Sequence, residues 1–587
     1  MARRAVILHE GSPGPRELRL GRILDFFGVP WKLAEAGGLN HIGGIDSEYA
    51  VFGSIQVVAK VLERGYAASS LVTFYAYLDD ERSLCVSALQ SLFKDTQLSL
   101  QDPPIGKLPV RVSDELDDVA GPMAGISFPL QLASEDTVLT GASANGASTF
   151  STIISAGNAP LFLQLQHNGA SVFFCASSQM VDIDQTVGRG FYDIKDHFCS
   201  AVSLVMFIKF ALRSVTWRPQ ELGACLIIDD PLLKLNYGFC NFSKLRDLMG
   251  EYGFTTNIAF IPWNWRRTSS AAGKFFSHQS GLFSVSIHGC DHTGGEFAST
   301  SPEFLQGRAQ MARSRMQSHE LRTGIRHDPV MVFPQGAFSS ACPEVLKRNG
   351  FLAAVNTEIA PIDAQNVGTR IKDVWDVAIM TYGDFPIFTR RYPFHGLENF
   401  AFDLLLGKPC LIVTHHEFFK DGCAALVELI RKIASLNCRI HWRPLGEVIR
   451  RACRRRYTGV GTEELEMYGN ELRVDNPSDQ AIELTVRKRK SQDDIDFEIL
   501  CDEKPVAYVT EPRHFAFHQR IAPHSETYFQ VAYRGQASLS PQRSSLRFEL
   551  GVAARRILSE FRDEYLSTNR FLSVPADRIR NIFGKAG

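Results

Sequence analysis

Between residues 221 and 456 the chain repeats one unit seven or eight times: a short apolar run followed by a helical pattern. The runs are ACLII, TTNIAFI, FSVSI, VMVF, LAAVN, VAIM, CLIVT and CRIHW. Stretches such as FSKLRDLMGEYG and EFLQGRAQMARSRMQSHELR separate most of them. Runs this apolar need cover on both faces, which parallel strands wrapped by helices provide. The number of units predicts a distorted (β/α) barrel. Ionisable residues gather after the strands, at the end where such barrels place their active sites.

The flanks read differently. Residues 1–195 alternate strand-like RAVILHE, YAVFGSI and LVTFYAYL with helix-like segments, which predicts an α/β layer domain of flavodoxin or Rossmann type. APLFLQLQ and ASVFFCASS, joined by HNGA, read as an antiparallel hairpin. This region shows no phosphate loop and no nucleophile elbow, so no chemistry is assigned to it. AVSLVMFIKFAL (residues 201–212) is too short to span a membrane and carries Lys209, so a buried helix is expected. Residues 458–540 read as a β-sandwich, and 541–587 as a helical tail docked on the body.

A net charge of -1 gives no general attraction to nucleic acid. The cluster Arg450, Arg451, Arg454, Arg455 and Arg456 reads as a helix end. MARRAVILHEG has too short an apolar run for a signal peptide and reads as a first strand. Twelve cysteines without a CxxC pair fit reduced thiols, hence cytoplasmic residence. Oligomeric state is left open.

LIIDDPLLK puts Asp229 and Asp230 side by side where an apolar run ends. Adjacent carboxylates repel and are partly desolvated there, so they need a cation or a proton, unless the pair merely caps a helix. Further on, SIHGCDHTGG spaces His288 and His292 four residues apart. One Asp and two His make three N/O ligands with a position left for water, the catalytic pattern for zinc. The second Asp is then free as a base. Two His and one carboxylate are also the ligands of non-haem iron oxygenases.

The ordered series LIIDDP, SIHGCDHT, VMVFPQGAFS and LIVTHHEFF, with EVLKRNGFLAAVNTE, resembles the polysaccharide deacetylases of the NodB-homology type (carbohydrate esterase family 4). The resemblance covers about 220 residues and implies a divalent-metal hydrolase, zinc by preference, that deacetylates N- or O-acetylated sugars. It implies Asp229 as base, Asp230, His288 and His292 as metal ligands, and His415 as the acid that protonates the leaving group. Pro334 and Gly336 would shape one groove wall, with Trp263 and His416 as further groove candidates. Alternation along a strand turns His416 away from the mouth if His415 faces it.

The chain departs from the family pattern at Val332, where an Arg usually orients the base, at Thr293, and in the doubled His415-His416. The missing Arg leaves a second reading open, a degenerate barrel that binds a saccharide or partner without turning it over. Arg390 and Arg391 are placed in a loop, solvated, paired or on an anionic substrate. Asp291 is a candidate partner of an imidazole, Cys290 a loop thiol pointing away, and Trp375 and Asp376 a loose match to a late family motif.

Overall fold

Leu222–Asp229 is buried along nearly its whole length and pairs in parallel with Thr256–Phe260 on one side and Cys410–Thr414 on the other. A computed structural model describes residues 4–37, 49–64, 72–92, 96–143, 150–363, 368–490, 497–533 and 546–566. From Thr256–Phe260 the sheet continues through Phe283–His288, Val330–Val332, Ala353–Asn356 and Ile387–Thr389, in chain order. Ile440–Trp442 pairs with the start of Leu222–Asp229. The gap between the last two strands of the ring is bridged by Arg391. Its N–H donates to the Leu411 carbonyl, and its own carbonyl accepts from the Val413 N–H, both at 2.9 Å. The result is a nearly closed parallel barrel, as the repeat predicts.

One predicted strand is misplaced. In VAIM only Ile379 pairs, through an isolated antiparallel bridge to Ile387. The barrel strand is the three-residue Ile387–Thr389, too short to stand out as an apolar run. Val377, Ala378 and Met380 are apolar because they pack with Tyr468 and the barrel filling.

Alternation sorts the barrel's side chains. Cys225, Ile227, Ala259, Val332, Val355, Phe388 and Leu411 form one cluster with Leu445, Val448 and Ile449, which come from the helix Leu445–Arg451. Their strand neighbours Ile228, Ile258, Ile287, Met331 and Ile412 join a larger cluster with the surrounding helices. Asp229, His288, Arg390 and His415 carry the inner parity and stand at or just past the strand ends.

The larger cluster continues into residues 4–211. Here a nine-stranded sheet begins with five parallel strands (Trp31–Glu35, Arg4–His9, Tyr49–Ser54, Thr73–Tyr77, Ala170–Cys175). Four antiparallel ones follow (Ala159–His167, Phe150–Ala156, Lys107–Val112, Ser127–Gln131). The HNGA hairpin forms, with Asn168 at φ 48° and Gly169 at φ 84°, as a tight two-residue turn requires. The predicted buried helix is Phe198–Ala211, whose Phe207 packs on Phe52, Tyr75 and Phe173.

After the barrel, a six-stranded sheet, which takes in Arg218–Pro219 from before the barrel as an edge strand, and a four-stranded sheet share a core of Leu465, Leu472, Val486, Ile499, Phe515 and Phe529. The arginine cluster is only partly a helix end. Arg454, Arg455 and Arg456 lie on the strand Cys453–Gly459, and each is paired: Arg454 with Asp376, Arg455 with Glu463, Arg456 with Glu464. Among the described residues no helix is long and apolar enough to cross a membrane.

Candidate metal centre

Asp230 follows the first barrel strand in a left-handed conformation, φ 75°. His292 (φ 54°) and Gln335 (φ 57°) are also left-handed. Such backbone costs non-glycine residues on the order of 1 kcal/mol or more each, and three such residues lie at this barrel mouth. The turn at Asp230 brings its Oδ1 to 3.1 Å from His288 Nε2 and 3.0 Å from His292 Nε2.

The proton inventory at this point is short. His288 Nδ1 lies 3.0 Å from the Val332 carbonyl, which can only accept, so Nδ1 carries the proton and Nε2 offers a lone pair. Asp230 Oδ1 is buried without a hydrogen-bond donor. The three donor atoms lie within 4.8 Å of one another. Two imidazole nitrogens and a carboxylate oxygen converging this way fit a divalent cation.

The loop between the histidines is built around Glu296. Its carboxylate accepts from the backbone N–H groups of Cys290 (2.8 Å), Asp291 (3.0 Å) and His292 (3.1 Å). Gly289 (φ +64°) makes this possible: a Cβ there would fall 2.1 Å from Glu296 Oε1 and 2.4 Å from Pro334 Cγ. Asp291 is not an imidazole partner. It is buried against Arg308 and Arg315 from the helix Pro302–Thr323, which anchor the loop from behind. Cys290 is buried, its thiol pushed up by burial and by Asp291.

Arg390 is not a solvated loop residue. It directly follows Ile387–Thr389, is buried, and donates Nη1 and Nη2 to the two oxygens of Asp229, 2.7 Å each. Burial opposes ionisation of Asp229, while Arg390 favours it more and holds its carboxyl below the ordinary value. The guanidinium missing at Val332 is thus supplied from another strand, and Val332 serves the site through its carbonyl. Arg391, also buried, pairs with Asp403.

His415 follows Cys410–Thr414 with extended backbone (φ -119°, ψ 169°) and stacks on Tyr392, ring centroids 6.0 Å apart. His416 is buried on the opposite side, against Tyr237 and Phe239, with Nε2 3.6 Å from Asp563 Oδ1. Pro334 packs at Gly289, and the Gly336 carbonyl accepts from Asn356 Nδ2 at 2.9 Å. Trp263 is half-buried; its backbone N–H donates to the Cys290 carbonyl at 3.0 Å, and Arg267 lies 6.0 Å over its ring. Trp375 and Asp376 take no part here: Trp375 bonds Tyr192, and Asp376 bonds Tyr468 and Arg454.

The helix Leu546–Phe561 and the turn after it lie over this mouth. Glu560 reaches Lys234 (2.6 Å) and Arg267, and Glu564 reaches Lys234 (2.8 Å), in loops beside the site, while Glu549 reaches Arg315 on the helix Pro302–Thr323 (3.5 Å). Asp563 accepts from the Tyr237 hydroxyl at 2.9 Å. Arg556 is buried beneath the helix. Neither this cover nor the pairing of Arg390 with Asp229 is local in sequence, and only the fold brings them to the site; Glu296 instead meets N–H groups four to six residues away.

No family model matches this chain, and no curated protein matches it. Among solved structures, the chain is similar to Agd3, described as a novel carbohydrate deacetylase, at 9% identity and TM-score 0.47, over 91% of this chain and 99% of that one. It is similar to the chitin deacetylase of the fungal pathogen Colletotrichum lindemuthianum at 14% identity and TM-score 0.26, over 39% of this chain and 88% of that one. A CE4 family pseudoenzyme from Bacillus anthracis is similar at 11% identity and TM-score 0.25, over 40% and 66%. These are similarities at low identity; the chemistry below rests on this chain's own residues.

Proposed function

We propose that this protein is a metal-dependent hydrolase of the polysaccharide-deacetylase type, removing an acetyl group from an N- or O-acetylated sugar or polysaccharide precursor. The observation that carries the reading is the convergence of Asp230, His288 and His292 on one point beside an Asp229 fixed by Arg390. Those three residues would hold the ion, zinc by the character of the donor set, which when bound supplies positive charge that polarises an acyl oxygen and acidifies water.

The chain's own groups account for the proton transfers. Asp229, ionised and held in one orientation, accepts a proton from water as the water oxygen bonds to the acetyl carbon. Each carboxylate oxygen keeps a lone pair beyond the one Arg390 occupies. As the bond from acetyl carbon to nitrogen or oxygen breaks, His415 donates a proton to the departing atom. Acetate and the free amine or alcohol leave. Asp229 then loses a proton and His415 regains one through solvent. The degenerate-barrel reading rests on the missing arginine, and the pairing of Arg390 with Asp229 supports turnover over it. Division into units at 1–195, 221–456, 458–540 and 541–587, and residence in the cytoplasm, belong to the same reading; twelve unpaired thiols support the latter.

The test is hydrolysis of an acetylated chromogenic ester and of N-acetylated sugar oligomers by zinc-loaded and chelator-stripped protein. Metal-dependent acetate release is expected. Stoichiometric metal with no release from any acetylated substrate overturns the hydrolase reading.

A further inference from the structure

The helix Leu546–Phe561 is docked inside out. Its acids face the barrel, where Glu549, Glu560 and Asp563 just beyond it meet Arg315, Lys234, Arg267 and Tyr237. Its large apolar residues face solvent: Leu546 is 84% exposed, Leu550 71%, Ile557 58%, Leu558 68% and Phe561 51%. Spacings of three, four and seven keep these on one stripe. Scattered exposed apolar residues are ordinary, whereas five large ones on one helix face form a patch of the kind that marks an interaction surface.

The charge on that face narrows the partner. Arg547 and Arg555 are exposed beside the stripe, and Arg562 is exposed but paired with Asp563 at 2.8 Å. No glutamate or aspartate of the helix is fully exposed beside them, since Glu549, Glu560, Asp563 and Glu564 are drawn toward the body. A second copy pairing through this face would set Arg547 and Arg555 against the same residues of its partner with no exposed carboxylate of the helix between them. An apolar stripe flanked by arginines is instead matched to a surface that is apolar within and anionic at its rim. We propose that the outer face of Leu546–Phe561 docks on an anionic lipid surface, lying in its plane with Leu550, Ile557, Leu558 and Phe561 inserted and the arginines on lipid headgroups. The covered mouth of the barrel then faces the membrane. Net charge does not forecast this, because the basic residues are offset elsewhere in the chain.

The experiment is co-sedimentation of the full chain with phosphatidylcholine vesicles, with and without phosphatidylserine, at low and high salt. Binding that requires phosphatidylserine and weakens with salt is expected. Arg555→Ala should weaken it about fivefold, and Leu550→Glu with Ile557→Glu should abolish it. These positions are exposed and off the ion-paired face, so an unchanged melting temperature checks that the variants fold. No sedimentation with phosphatidylserine vesicles overturns the proposal. So does equal binding to phosphatidylcholine alone. A lipid-free dimer dissolved by Leu550→Glu with Ile557→Glu also overturns it, assigning the face to a second copy.

Discussion

Arg390 and Asp229 form a bidentate pair at 2.7 Å and 2.7 Å, both side chains buried, across the mouth of one barrel in which the strand Cys410–Thr414 separates theirs. The arginine leaves the carboxylate ionised and fixes its plane, which a lone buried aspartate could not achieve. Arg390→Ala should cost about 3–5 kcal/mol of stability, because it strands a buried charge. It should also lower turnover about a hundredfold. Arg390→Lys, lacking the fork, should recover stability more than turnover. Chemical denaturation and acetyl-ester kinetics read the two effects, and full turnover in Arg390→Ala would remove Asp229 as the oriented base.

The three-donor cluster predicts about one divalent ion per chain. His288→Ala or His292→Ala should release it, and Asp230→Asn should weaken it. Asp229→Asn should keep the ion and lose turnover. Elemental analysis after dialysis separates these cases; equal metal loss in the two aspartate variants would make both carboxylates ligands.

The paired histidines should behave oppositely. His415→Ala is expected to be nearly inactive with metal retained, since it removes only a proton donor. His416→Ala should keep most activity per folded molecule but loosen the helix cover, seen as faster amide exchange over residues 546–561. If activity instead tracks His416, the acid role belongs to the residue that faces Asp563.

Glu296→Ala leaves three backbone N–H groups of the histidine loop without their acceptor. Stability should fall by about 3 kcal/mol, and metal affinity by about 10–100-fold as His292 loses its fixed position. An unchanged metal affinity, measured by competition with a chromogenic chelator, would show that the loop holds its shape without the carboxylate.

Asp403 gives a pH signature away from the site. Burial opposes its ionisation, but Arg391 and Lys408 outweigh it and hold the carboxyl below its ordinary value. The unfolded chain therefore binds this proton more readily. The stabilisation is fully present above the unfolded pKa of about 4 and is lost as pH falls from there through the folded value. Asp403→Asn should lower the melting temperature at neutral pH and flatten its decline below about pH 4. A parallel decline in both proteins would mean the pair contributes nothing to acid stability.

The sequence by itself determined what is local. Apolar runs of five to seven residues define most of the barrel strands, and the carboxylate and imidazoles that converge sit in two short motifs at strand ends. Alternation is enough to turn His415 and His416 to opposite sides, because the backbone is still extended at His415.

What the tertiary structure alone decided is pairing across distance. Asp229 and Arg390 are 161 positions apart, and a three-residue strand with no apolar signature sets their meeting. Glu296, although only four to six residues from the N–H groups it holds, is silent in sequence until the turn at Gly289 folds the loop back over it. The apolar spacing of Leu546–Phe561 announces a helix but not which face docks. That choice was made by Lys234, Arg267 and Arg315, cations placed at the mouth by three separate segments of the chain, to which the helix offers its acids and leaves its leucines outside.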